Sequence, residues 1–182
     1  MARTEDPSGR ERILSVAAEL FYTRGVRAVG LAEVIQAAGC GKNMLYRHFP
    51  GKPALVAAYL TRARQEREAA TTAALTGAPR DQLVALIAET ADWVRRRAYH
   101  GCAFRNYLAE SPFRRGDDEA TALAHAYVRD SRTRIEDLVA ELGGPPSLAD
   151  RLWLLLDSLY SDTGPEPSVA VAWARELVAD RR

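Results

Sequence analysis

Lysine is nearly missing from this chain. Among 182 residues there are only Lys42 and Lys52, although Lys and Arg together number 25. Almost all positive charge is therefore guanidinium. Cysteine is scarce too, and Cys40 and Cys102 do not make a disulfide framework. With few other ligands nearby they do not make a zinc site either, so no metal is expected. Each reads as a small buried hydrophobe in preference to a redox switch, because free Cys is among the most buried residue types. No run of about 18 apolar residues occurs, so no membrane span is expected. The first ten residues hold no apolar signal segment, which points to the cytoplasm. No strand-period alternation, internal repeat or low-complexity segment is present, which leaves an all-α chain. Catalytic groupings are absent as well. Ser111-Pro112 and Asp157-Ser158 have no His at a telling spacing, and His48, His100 and His125 are scattered. No catalytic residue and no cofactor is expected.

What is present begins with residues 25–52. A short apolar pattern (Leu31, Val34, Ile35, Ala38) stops at Gly39, where glycine can take the left-handed conformation that reverses a chain after a helix. A second short helix follows, with Leu45 and Phe49 facing inward. Its outer face carries Lys42, Asn43, Tyr46, Arg47 and His48, which can hydrogen-bond phosphates or base edges. Two helices and a tight turn form a helix-turn-helix, the geometry that lays a second helix in a major groove. Both lysines fall here. Lys42 opens the candidate recognition helix and Lys52 the helix after it, and helix N-termini favour anions such as phosphate. Charge is distributed to match. Residues 1–52 hold 8 basic and 5 acidic side chains, net +3, while the remainder holds 17 and 19, net −2. A basic head on a mildly acidic body suits a head that binds DNA.

The stretch from about Arg10 to Leu60 resembles the DNA-binding domain of the TetR family of bacterial transcriptional regulators. The resemblance rests on Ile13-Leu14, Ala17, Leu20-Phe21, Gly25, Ala38-Gly39, the run Leu45-Tyr46-Arg47-His48-Phe49, and Lys52. It implies a homodimer that binds a double-stranded palindromic operator, most often as a repressor, and is released by a small-molecule effector. It further implies that Tyr46, His48 and Lys52 hold phosphates while Lys42, Asn43 and Met44 face the bases. Asn43 would read adenine and Met44 would press on a thymine methyl. The chain departs from the family pattern at Val29-Gly30, where capping hydroxyls are usual, at Ile35, where a small residue is usual, and at Gly41 and Asn43-Met44.

Periodicity and breakers outline about nine helices. A three-helix head (1–52) is linked by a long helix to a helical bundle (53–182) that would hold ligand and partner. Ser8-x-x-Glu11 and Ser147-x-x-Asp150 read as capping boxes. The long helix runs from Lys52 into the mid-70s, and its charged stretch Arg62–Glu68 reads as solvated. The next spans roughly 80–99, with Arg95-Arg96-Arg97 at its end. A short helix runs from Cys102 to Glu110, closed by Ser111-Pro112. Asp117 is a cap candidate for the helix to Leu142.

The last two helices are apolar on more than one side. Leu148, Leu152, Leu155, Leu156 and Leu159 make one face, and Trp153, Leu154 and Tyr160 another. A helix of that kind needs a second surface. A dimer interface is expected through Leu152, Trp153, Leu156, Tyr160, Trp173 and Leu177. It implies half-sites about one DNA turn (~34 Å) or a multiple apart. Trp93, Phe104, Asn106, Tyr107 and Tyr127, with Tyr99, His100, Phe113 and His125 nearby, would suit a pocket for a small apolar or amphipathic effector. They would equally suit an ordinary core. Two further readings stay open: a DNA-binding regulator without an effector, and a small helical enzyme.

Overall fold

Nine helices make up the regular structure of the computed structural model, which describes residues 7–110 and 118–179. They are α1 (Pro7–Arg24), α2 (Leu31–Ala37), α3 (Lys42–His48), α4 (Lys52–Ala74), α5 (Pro79–Val94), α6 (Ala103–Glu110), α7 (Glu119–Glu141), α8 (Pro146–Ser158) and α9 (Pro167–Ala179). The all-α expectation and the helix count hold, and no described residue lies in a strand. None of the described helices is long and apolar enough to cross a membrane.

The chain forms two units. One joins Met1–Arg64 to Ala103–Ala126, and the other joins Gln65–Cys102 to Tyr127–Arg182. In the first, Ile13, Leu14, Ala17 and Phe21 form the buried stripe of α1, as the i, i+3, i+4 spacing requires. Val34, Leu45, Phe49, Leu55 and Leu60 are buried in the same unit, and Phe21 meets Tyr59 with ring centroids 5.7 Å apart. In the second unit, α5, α8 and α9 pack on one another around Leu83, Ile87, Leu152, Leu156, Ala174 and Val178.

Several sequence expectations shift. Ser8 and Ser147 do not cap, because each helix starts one residue earlier, at Pro7 and Pro146. Proline suits a first helical turn, since its missing N–H is one of the orphan donors there. Asp150 is engaged instead as an acceptor from Arg132, 2.8 Å away. Ser111, Pro112, Phe113 and Asp117 lie outside the described residues, and the cap of α7 is Asp118. Its Oδ1 accepts the Thr121 backbone N–H at 2.8 Å. Helix α5 stops at Val94, so Arg95–Arg97 follow the helix instead of ending it. The stretch Arg62–Glu68 is not uniformly solvated, for Arg67 is only 8% exposed. Its guanidinium donates twice to Glu89, at 2.7 and 2.6 Å, which fixes α4 against α5 by a bidentate, partly dehydrated pair. Arg67 is held more firmly protonated than usual: burial acts against its charge, but the Glu89 carboxylate outweighs it.

Candidate nucleic-acid interface

The turn between α2 and α3 is built by its glycine. Gly39 has φ +57°, and the chain closes with Gly39 N–H on the Gln36 carbonyl and Cys40 N–H on the Ile35 carbonyl. This paired closure needs a left-handed residue, which glycine supplies at no steric cost. Gly30 and Gly41 are the N-caps of α2 and α3, both extended and without a side-chain cap. Cys40 is half-buried, so the fully packed role expected of it is not met, whereas Cys102 is buried as expected. Ile35 is likewise only half-buried.

Leu45 and Phe49 anchor α3 inward, and this decides which side chains face out. Lys42, Asn43, Arg47 and Tyr46 are exposed, Tyr46 by 44%, and the Lys42 ammonium lies 5.8 Å from the Tyr46 ring centroid. Met44 is half-buried, and its sulfur accepts from Arg12 of α1 at 3.8 Å. His48 is half-buried as well, and its Nε2 is enclosed with no hydrogen-bond partner among the described residues. Lys52 opens α4 and is partly exposed. Thus α3 gathers Lys42, Asn43, Tyr46 and Arg47 on one outward surface and holds Met44 and His48 at its margins.

Two α1 residues beside this surface were not singled out in the sequence. Arg10 places its guanidinium 5.1 Å from the Phe49 ring centroid, and Arg12 meets Met44. Other charges of the same unit are paired. Arg24 bonds Glu33, Arg62 donates to Glu11 at 2.6 Å, and the Arg27 backbone N–H donates to Glu110 Oε2 at 2.7 Å.

The side chains expected around an effector are placed as follows. Phe104 and Tyr107 of α6 are buried, and the Tyr107 hydroxyl donates to Asp118 Oδ1 at 3.3 Å. Asn106 beside them is half-buried. These belong to the first unit. Trp93 and Tyr127 belong to the second. Trp93 packs against Arg67 and Arg96, each guanidinium 4.5 Å from its ring centroid. Burial and the neighbouring Cys102 thiol hold the Tyr127 phenol above its ordinary pKa, opposed by Arg67. A cavity of about 30 Å³ lies beside Arg67, Thr90, Tyr127 and Tyr160. That is room for a water or two.

Of the side chains expected at a dimer face, Leu152 and Leu156 are buried within the chain's own core. Trp153, Tyr160 and Leu177 are half-buried, and Trp173 is 54% exposed. Leu154, which the sequence pattern sets on the second apolar face of α8 with Trp153 and Tyr160 but not in the interface, is the most exposed of these at 66%. It borders an open groove of about 780 Å³ lined also by Leu155, Trp173 and Leu177 and by the charged Arg151 and Glu176.

Comparison with known proteins places these features. Residues 13–59 match the model of bacterial regulatory proteins of the tetR family. An uncharacterized HTH-type transcriptional regulator of Mycobacterium tuberculosis is 37% identical over 87 residues, covering 47% of this chain and 43% of that protein. The HTH-type transcriptional regulator LmrA of Bacillus subtilis is 48% identical over 42 residues, covering 23% of this chain and 22% of that one. The chain thus spans less than half the length of these curated relatives. The crystal structure of SCO4454, a TetR-family transcriptional regulator from Streptomyces coelicolor, superposes with a TM-score of 0.82 at 27% identity. That match covers 94% of this chain and 87% of the other. These relatives are regulators and not enzymes.

Proposed function

Through residues 13–59 this chain belongs to the TetR family of bacterial regulatory proteins, and on that premise we propose that it binds a palindromic DNA operator as a homodimer, represses transcription there, and is released by a small apolar or amphipathic effector. The observation that carries the reading is the outward surface of α3. Lys42, Asn43, Tyr46 and Arg47 project from a helix fixed by Leu45 and Phe49, after a turn closed by Gly39. Tyr46, Arg47 and Lys52 hold phosphates, and Lys42, Asn43 and Met44 approach base edges. His48 reaches a phosphate through Nδ1, since its Nε2 faces inward. Residues 1–52 serve as the DNA head and 53–182 as the effector and dimer body.

A second copy covers the groove of α8 and α9. Its apolar lining, Leu154, Trp173 and Leu177, is joined by Arg151 and Glu176, so a two-fold axis can set the arginine of one copy against the glutamate of the other. Release works through α6. Its last residue, Glu110, holds the turn after α1, so an effector that moves α6 moves the head with it. A few kcal/mol of differential affinity suffices.

A second reading, a regulator without an effector, is favoured by one set of contacts. Trp93 already holds the guanidiniums of Arg67 and Arg96 against its ring, and the hydroxyl of Tyr107 already bonds Asp118. Fluorescence anisotropy on DNA from upstream of its own gene, against scrambled DNA across a salt series, tests the main reading. Dimer-stoichiometric binding that outlasts moderate salt only on the upstream DNA is the expected result. Tyr46→Phe or Lys52→Ala then weakens both DNAs, while Asn43→Ala costs about 1–3 kcal/mol at one base pair. Binding that stays alike on both DNAs counts against an operator in that region. A complex that no small molecule dissolves favours the second reading.

A further inference from the structure

Three arginines of the first unit have oxygen partners. Arg24 is bonded to Glu33, Arg62 to Glu11 and Ser15, and Arg27 is tied to Glu110. Arg10 and Arg12, one turn into α1, meet no carboxylate among the described residues. Both are exposed. They are not near each other by sequence spacing, since residues two apart point to different sides of a helix. Each is instead set against α3. Arg12 reaches Met44 in its first turn, and Arg10 lies over Phe49, its C-cap. The two guanidiniums therefore bracket the helix at its two ends.

Neither contact exhausts its guanidinium. A cation over a ring leaves its N–H donors in the plane free, and a thioether is a weak acceptor for one of five. A guanidinium exposed beside a groove-reading helix has a well-matched partner in phosphate, which it can hold by two parallel hydrogen bonds. A recognition helix in a major groove lies between two phosphate backbones, so cations at its two ends are placed to meet both strands.

We infer that Arg10 and Arg12 are two further phosphate contacts, supplied by α1 in addition to those of the α3 side chains. The inference rests on the DNA-binding reading above. Arg12 has a second task, since it holds the Met44 thioether in place beside the base edges.

The experiment is a salt titration of anisotropy on a labelled duplex from upstream of the gene and on its scrambled counterpart, using the full chain. Each phosphate contact on duplex DNA contributes about 0.9 to the slope of log K against log salt. Arg10→Gln and Arg12→Gln are each expected to lower that slope by about 0.9, and together by about 1.8, on both duplexes. Arg12→Lys restores the slope lost in Arg12→Gln. Arg24→Gln, at an arginine already paired with Glu33, leaves it unchanged. Melting temperatures are read in parallel. An unchanged slope with a lowered melting temperature means the arginines only fasten α1 to α3, and overturns the inference while the DNA reading stands. A wild-type chain that binds neither duplex even at low salt overturns both.

Discussion

The carboxylate of Glu110 occupies the space that a side chain at Gly25 would need. A Cβ built on Gly25 would lie 2.9 Å from Glu110 Oε1, and the glycine has φ +85°. The same carboxylate accepts the Arg27 N–H, and the Arg27 guanidinium returns a bond to the Glu110 carbonyl at 3.2 Å. The end of α6 is thus docked on the turn that closes α1.

Gly25→Ala is expected to destabilise the protein by more than the ~1–2 kcal/mol that left-handed backbone costs a side-chain-bearing residue. Part of the loss should return when Glu110→Ala is added, because the obstruction is then removed. A urea-denaturation double-mutant cycle measures this. Strictly additive losses would show that the two residues do not meet.

The Arg67–Glu89 pair predicts an asymmetry. Arg67→Met leaves the Glu89 carboxylate largely dehydrated and without its partner, at a cost of about 3–5 kcal/mol. Adding Glu89→Leu should recover most of it. If the double variant is as unstable as the single one, the pair stabilises by more than mutual compensation.

Tyr127 gives a pH dependence with a definite sign. Its folded pKa lies above the ordinary 10.0, chiefly through burial. On alkaline titration the unfolded chain therefore loses this proton first. The associated stability is intact below pH ~10 and declines as pH rises through the folded value. Denaturation midpoints measured from neutral pH upward should fall on the alkaline side, and Tyr127→Phe should flatten that fall. An identical alkaline limb in the variant would remove Tyr127 from the account.

The groove of α8 and α9 separates two kinds of leucine. Leu154→Asp and Trp173→Asp should give a folded monomer on sedimentation, since both side chains are exposed in the subunit. Leu152→Ala should instead lower stability by about 2–5 kcal/mol, as a core truncation does. A folded dimer from both aspartate variants would place the partner elsewhere.

Much of this was legible in the sequence where one local signal sufficed. Gly39 and the inward pair Leu45 and Phe49 mark the turn and orient α3, because a left-handed residue and a helical stripe are properties of neighbours along the chain. Arg67 was hidden. Its partner stands on another helix, and a run rich in charge looks solvated until that helix is in place. The capping boxes at Ser8 and Ser147 misled because a proline beside each starts the helix one residue sooner. On α8, leucines surround the axis so fully that periodicity alone does not say that Leu152 turns inward and Leu154 outward. Arg10 and Arg12 were counted as charge, but the pairing of Glu11 and Glu33 with other arginines, which leaves those two without a carboxylate partner among the described residues, is a fact of three dimensions.

The two lysines open α3 and α4, and the chain has no other. Its side-chain amine chemistry is therefore confined to two neighbouring helix starts. An acylating reagent, or an acetyl-transferring enzyme, has no other lysine on which to leave a mark. Each acyl group added would cancel one of the few compact charges in a molecule otherwise positive only through arginine.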